Sequence, residues 1–497
     1  MSAVDSATKT SPACSISALP PELLLPILAM VDMEWTPLRL VCKQWNAIIL
    51  SNGHFWNDLV LTTRSDRANP GVYGYEPWQP RQQLCRSLVT VEDALRRSKS
   101  APLSITIDFV DFAGTSPDVD EFGDTSFSAG SQTVERRRDA VKMVEKEIAR
   151  IRTLSVFAIG GIENDQMKGS FKPERAVILE KLYVKGRMYE YSPQDMQFSQ
   201  LISAANLRTL RFLDPLTDHL KPLSQMNWGG FVDISIGGHF VDCDGLVTPL
   251  TLPNLRILRL GSKSLDILRK LRTPRLDSLA IHDSTSDVPH FGPVDVLSVT
   301  SLHLWHKFSV LDALEIPTVT HIDLQSGKWT ATMFKGAETR FPNLTSLVLC
   351  PYTSSGSISR GLEHLPHLVD LCVDARHRKL EAVFWNDFTR TVEGRGRTRT
   401  PKILPNLQRL HVRLYHERSS AIEKRATKAK VSREAAGRPL TVLVVEWKGG
   451  GTSNIVGERR QNVDAATFPR HRSVWLLSRS GAHVEFPACH SPNDAWG

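Results

Sequence analysis

The chain has 497 residues, 41% of them hydrophobic, and a formal net charge of +8. That length can bury a sizeable core, no window approaches the roughly 18 consecutive apolar residues of a membrane-spanning helix, and the opening MSAVDSATKTSP has neither a basic flank nor an apolar signal core. Membrane insertion and secretion are not expected. The seven cysteines, odd in number and never in a CxxC pair, predict free thiols in the cytoplasm or nucleus and no structural zinc.

Residues 1–15 are Ser, Thr and Ala without periodicity and read as a disordered tail. From Ile16 the pattern changes: a polar residue precedes Pro20 and Pro21, and Glu22 follows, a helix entry with prolines that pre-set the first turn and an acid at its positive end. Leu23, Leu24, Ile27, Leu28 and Val31 recur at helical spacing, and Leu38, Val41, Cys42, Trp45, Ile48 and Ile49 continue on a second and third helical stretch. Phe55, Trp56 and Leu59 close the segment. Three short helices carry more large apolar side chains than so small a bundle can bury within itself, which leaves two readings: a subdomain packed on the rest of the chain, or a docking module.

Leu19-Pro20, Glu22-Leu23, Ile27-Leu28, the Leu38 to Val41 stretch, Val41-Cys42-Lys43-Gln44-Trp45 and Phe55-Trp56 resemble, in type and spacing, the F-box, and the segment 16–61 is identified as one. The resemblance implies a three-helix module that docks onto the Skp-type adaptor of a cullin-RING ubiquitin ligase. It assigns the docking module to Leu19, Pro20, Leu23, Ile27, Leu28, Val41, Trp45 and Trp56, some facing the adaptor and some holding the helices together. Pro26 departs from the pattern: inside a helix it deletes a backbone hydrogen bond and costs about 3 kcal/mol unless the helix kinks or starts late.

Residues 62–100 read as a linker, with a Gly-, Pro- and Asn-rich loop to Gln82 and a connecting amphipathic helix over Leu84 to Arg97. After a first strand at Leu103–Ile107, Leu-x-x-Leu-x-Leu patterns begin at Ile151, Leu179, Leu207, Phe231, Leu255, Leu276, Val299, Val319, Leu344, Leu368, Leu407 and Leu440. The first nine separations run from 20 to 28 residues, the last two are 39 and 33, and leucine-rich repeats span about 20 to 29. Pro253-Asn254-Leu255, Pro342-Asn343-Leu344 and Pro405-Asn406-Leu407 share an entry. Each unit is expected to be one strand plus a helix or loop that buries its apolar face only when stacked. The predicted fold is therefore α/β: an N-terminal three-helix F-box, then an irregular leucine-rich-repeat solenoid over 101–447 with a parallel sheet on its concave face. Residues 448–497, with Val474 to Leu477, would form a C-terminal cap or tail. The Asn or Cys of regular repeats is replaced by Lys263 in a well-formed unit and does not recur elsewhere. The insertions Ala113–Thr133, acidic, and Arg390–Lys402, with the run RGRTR, are expected to be mobile.

No catalytic set emerges. Gly449-Gly450-Gly451 completes no phosphate-binding motif, Asp242-Cys243-Asp244-Gly245 reads as a turn, and the pairs His303/His306 and His364/His367 lack a Cys or acidic partner at a fixed offset. No cofactor and no metal are expected. Between Arg390 and Arg438 stand 14 Lys or Arg against 4 Asp or Glu, a stretch open to three readings: a solvated face, a nuclear-import or nucleic-acid contact, or a patch steering an acidic substrate. Thin aromatic interleaving makes nucleic acid the minor one. The whole resembles F-box proteins with leucine-rich repeats, many of them fungal. That implies a non-catalytic substrate receptor of an SCF-type ligase, partnered by the adaptor, through it a cullin, and a client protein. The alternative is a repeat scaffold acting outside a ligase.

Overall fold

The computed structural model describes residues 19–30, 38–62, 83–85, 88–108, 139–157, 171–185, 201–212, 228–236, 250–261, 268, 271–282, 294–295, 298–305, 310–311, 314–325, 328–329, 332–350, 353–354, 358–375, 385, 388–389, 391–393, 399–401, 403–414, 420–447 and 452–454. The tail 1–15, the insertion Ala113–Thr133, Asp242–Gly245, His306, Gly449–Gly451 and Val474–Leu477 lie outside them. The described residues up to Asn206 pack as one compact unit and those from Leu207 as a second.

The first unit opens with helix α1, Pro21–Met30. Pro20 O accepts from the backbone N–H groups of Leu23 and Leu24 at 3.0 and 3.1 Å. Pro21 stands in the first turn, where no N–H is needed. The helix runs through Pro26. That residue and Glu22, four positions earlier, are both exposed, so the lost hydrogen bond falls where water can replace it. Helix α2, Lys43–Ser51, buries Trp45, Ile48 and Ile49, and a 3-10 turn, Gly53–Trp56, buries Phe55 and Trp56. Leu59 closes the segment beyond the helical turns. It lies in strand β1, Asp58–Thr62, which pairs in parallel with β2, Gln83–Cys85, and β3, Leu103–Asp108. The connecting helix α3 is shorter than its apolar spacing suggests, Leu88–Ser98, with Val91, Ala94 and Leu95 buried. Strands β4, Ile151–Phe157, and β5, Lys181–Lys185, extend the parallel sheet in the order β2-β1-β3-β4-β5.

The second unit continues the same strand geometry. Strands β6 (Thr209–Phe212), β7 (Asp233–Ile236), β8 (Ile257–Gly261), β9 (Ser278–His282), β10 (Ser301–Trp305), β11 (His321–Gln325), β12 (Ser346–Cys350), β13 (Asp370–Ala375), β14 (Arg409–Leu414) and β15 (Val442–Trp447) pair in sequence order, all parallel. The antiparallel β16, Thr452–Asn454, follows at the end. Each strand holds the second and third apolar positions of one predicted unit. All three apolar residues of every described unit are buried, for example Leu255, Leu258 and Leu260, or Val299, Leu302 and Leu304; of the Phe212 side chain nothing is described. Burial of one such side chain is worth about 1.5–3 kcal/mol. The return segments include further two-residue parallel pairs, such as Lys328–Trp329 with Thr353–Ser354. Trp329 is fully buried against Phe334, and Gly361 is required beside it, because a Cβ there would stand 2.5 Å from the Trp329 ring. Part of the insertion expected to be mobile is ordered: Thr391–Glu393 pairs antiparallel with Arg399–Pro401.

The recurrent Asn entry has a physical cause. Asn254 Nδ2 donates to Gly229 O at 2.7 Å, Asn343 Nδ2 to Pro317 O at 2.8 Å and Asn406 Nδ2 to Pro366 O at 3.0 Å. Each acceptor sits two residues before the first apolar position of the preceding unit. Asn206 does the same in the first unit, donating to Val177 O at 2.6 Å. Where Thr stands just ahead of a strand, Thr300 and Thr441 Oγ1 reach back to Asp277 O and Gln408 O at 3.0 and 3.1 Å. The Asn side chains supply donors to turn carbonyls, the role that Asn or Cys at another position takes in regular repeats, whereas the Thr hydroxyls add a further donor to carbonyls that already accept from the backbone.

Candidate functional site

The eight residues of the predicted docking module separate into two groups. Leu28, Trp45 and Trp56 are buried, together with Leu24, Leu38, Ile48, Ile49 and Phe55, and form the core of the module. Trp56 Nε1 donates to Ile49 O at 2.8 Å and ties the 3-10 turn to α2. Leu19 and Ile27 are half-buried and Pro20 is exposed, while Leu23 and Val41 are both 55% exposed. Leu40, 82% exposed, belongs with the outward group. Its apolar type inside the Leu38 to Val41 stretch was the available signal, but spacing alone could not assign it a direction.

Gln44 Nε2 donates to Leu19 O at 3.2 Å, bringing the entry of α2 to the entry of α1. Arg39 Nε donates to Asn46 Oδ1 at 3.0 Å and holds the preceding turn against α2. Pro20 and Leu23 on one helix entry, and Leu40 and Val41 on the other, thus flank a single junction. Four exposed apolar side chains on so short a segment make an apolar surface of the kind that marks an interaction site.

The module is built into the sheet of its unit. Gly53 lies so close to the end of α3 that a Cβ would stand 2.5 Å from the Ser98 carbonyl oxygen. The Arg97 guanidinium lies 4.9 Å over the Trp56 ring, and Lys99 Nζ donates to Ser51 O at 2.6 Å. Arg150 closes the other side of α3, donating to Leu95 O at 3.1 Å, Ser98 Oγ at 2.9 Å and Ala101 O at 3.1 Å while paired with Glu147 at 2.6 Å. Cys85, buried beside α3, is chemically quiet. Burial first, and the Asp93 carboxylate second, push its thiol up to about 12.

In the second unit the sheet face opposite the leucines carries a register row: Arg211, Ser235, Arg259, Ala280, His303, Asp323, Val348, Cys372 and His411. Its charges are paired. Asp233 accepts from Arg211 Nη2 at 2.7 Å and from Arg259, all three buried. Asp323 faces the His303 ring at 3.5 Å and accepts from Gln325 Nε2 at 2.6 Å. Burial alone would raise the Asp323 carboxyl; its bond and charge contacts with His303, aided by His321 and Gln325, hold it below the usual range. Burial depresses His321 to about 4, helped by His303 and opposed by Asp323. The pairs of Asp233 with Arg211 and Arg259, and of Asp323 with His303, were not visible in sequence, because the partners lie 20 or more residues apart. His303 is thus a packed sheet residue, His364 is half-buried and His367 exposed. Among the described residues no group of three His, Cys, Asp or Glu could hold a metal ion, and no helix is long and apolar enough to cross a membrane.

Residues 16–62 match the family model described as F-box-like. The module is therefore an F-box-like domain, a class of protein-interaction module, joined to stacked parallel-strand units. The chain thus carries an F-box-like domain at residues 16–62 and, beyond it, parallel-strand units of irregular spacing. No curated protein matches it. Among solved structures, a structural-genomics protein of Bacteroides fragilis is similar at 13% identity over 61% of this chain and 70% of its own, with a TM-score of 0.22, a likeness too distant to inform the fold.

Proposed function

We propose that the protein is the substrate receptor of an SCF-type cullin-RING ubiquitin ligase, non-catalytic itself, whose F-box-like domain binds a Skp-type adaptor and whose repeats bind a client protein. The observation that carries this reading is the outward apolar set at the junction of the two helix entries, formed by Pro20, Leu23, Leu40 and Val41 with half-buried Leu19 and Ile27. The buried residues Leu24, Leu28, Trp45 and Trp56 supply a core that holds the set in place without a partner. Direct packing of this module into the sheet supports the same reading. A client held by the chain that also binds the adaptor is kept near the conjugating enzyme, so transfer draws on effective concentration instead of on chemistry by this chain.

Co-purification with the adaptor tests it. Replacing Leu23 and Val41 with Ser should lower adaptor affinity by about a hundredfold, since each removes about 1.5 kcal/mol or more of apolar burial, with the melting temperature unchanged. Undiminished binding by this variant would remove the surface from the site. Absence of the chain from any adaptor complex would favour a scaffold acting outside a ligase.

A further inference from the structure

Within the basic stretch that the docking reading leaves unused, residues 420–438 form a fixed structure. Helix α4, Ser420–Ala435, is clasped to its unit by Arg433, only 1% exposed. The guanidinium donates to Leu404 O at 2.8 Å, Leu407 O at 3.2 Å and Ile403 O at 3.3 Å, and stacks 5.1 Å over the Phe388 ring. Leu404, which supplies the shortest of these bonds, is held at φ 52 in the left-handed region, a conformation that persists only where surrounding contacts enforce it. Ile422, Ala426 and Ala429 are buried on the same side of α4 as Arg433. The strand Arg399–Pro401, which starts at the last Arg of the run RGRTR, lies beside the helix.

The opposite side carries Lys424, Arg425 and Lys428, all exposed and with no ion pair among the described residues, with Arg438 exposed just beyond the helix. Lys430 is paired with Glu434 at 3.7 Å. Lys424 and Lys428 are one turn apart, a spacing at which like charges destabilise a helix by a few tenths of a kcal/mol. Val431, 55% exposed, continues the same stripe. The cations have spare charge, and the clasp fixes the helix that carries them.

We propose that this face of α4 binds an acidic segment of a partner protein, its carboxylates on Lys424, Arg425 and Lys428 and an apolar side chain on Val431. The charge is complementary, and α4 offers no aromatic side chain on which a nucleic-acid base could stack, which favours a peptide over a single strand. The inference goes beyond the ligase reading and does not depend on the F-box-like domain.

The test uses the full chain and a fluorescein-labelled peptide of Glu and Asp with interspersed Leu, set against single-stranded and duplex DNA of equal net charge, in fluorescence anisotropy. The peptide should bind with an affinity that falls as salt rises, be weakened about tenfold or more by Lys424→Glu with Lys428→Glu, and about threefold by Val431→Ser. Lys424→Gln with Lys428→Gln repeats the measurement should the reversed charges lower the melting temperature. Peptide affinity unchanged in both pairs of variants would overturn the proposal. So would DNA that binds as tightly as the peptide and is weakened equally by the substitutions.

Discussion

The F-box-like domain and the repeats spend their leucines differently. In the repeats all three apolar positions of each described unit are buried, and the strand alternates them with a face of polar or small residues. In the domain, adjacent residues of one helix part company: Leu24 is fully buried while Leu23 is 55% exposed. A strand with one buried face has a place for every residue of a period-two pattern. A short helix with apolar residues around more than half its girth does not, and the surplus is left for a partner. An apolar residue in the repeats therefore reports stability, whereas in the domain it reports stability or binding according to its direction.

The largest effect that would break this contrast comes from the repeats. Leu302→Ala should cost about 3–4 kcal/mol in chemical denaturation; a loss below about 1 kcal/mol would mean that the strands relax around the cavity. Gly53→Ala, which forces a Cβ against the Ser98 carbonyl, should cost about 2 kcal/mol, because overpacking against backbone cannot be relieved by a rotamer. Retention of wild-type stability would show that the domain and α3 separate readily.

A comparable change should follow pH. The His321 ring holds its proton more weakly in the folded protein, at about 4, than at its ordinary 6.5. The unfolded chain therefore binds the additional proton between those values, and stability falls as pH drops from 6.5 toward 4 and is unaffected above. The effect is worth about 2 kcal/mol once the ring's partial exposure is allowed for, and His321→Asn should flatten that part of the profile. Asn254→Ala should cost about 1 kcal/mol, the net worth of one hydrogen bond to a turn carbonyl, measured as a shift in denaturation midpoint. Smallest of all, Leu23→Ser and Val41→Ser should each change stability by no more than about 0.5 kcal/mol. A larger loss would place them in the core and end the distinction between the two regions.

Much of this fold was legible in the sequence. Every Leu-x-x-Leu-x-Leu pattern from Ile151 to Leu440 marks a strand, since apolar spacing of two is a local property that stacking reinforces. The F-box-like segment was legible for a similar reason, as ordered motifs within one short stretch. Leu59 was legible as the close of the segment but not as strand, because a strand of five residues at the end of a helical pattern, Asp58–Thr62, is decided by its pairing with Leu103–Asp108 some 45 residues on. The recurrent Pro-Asn-Leu entry was visible while its purpose was not, because the carbonyl that each Asn caps belongs to the preceding unit.

What the sequence determined by itself was periodicity: the apolar spacing that marks the repeat strands and the F-box-like helices in their order along the chain. Only tertiary structure decided direction and partnership. It turned Leu23 outward and Leu24 inward, set Asp233 between Arg211 and Arg259, and buried Arg433 so that Lys424, Arg425 and Lys428 face solvent. The physical reason is that periodicity arises from bonds along the chain, while burial and charge pairing depend on residues that meet only when distant segments pack.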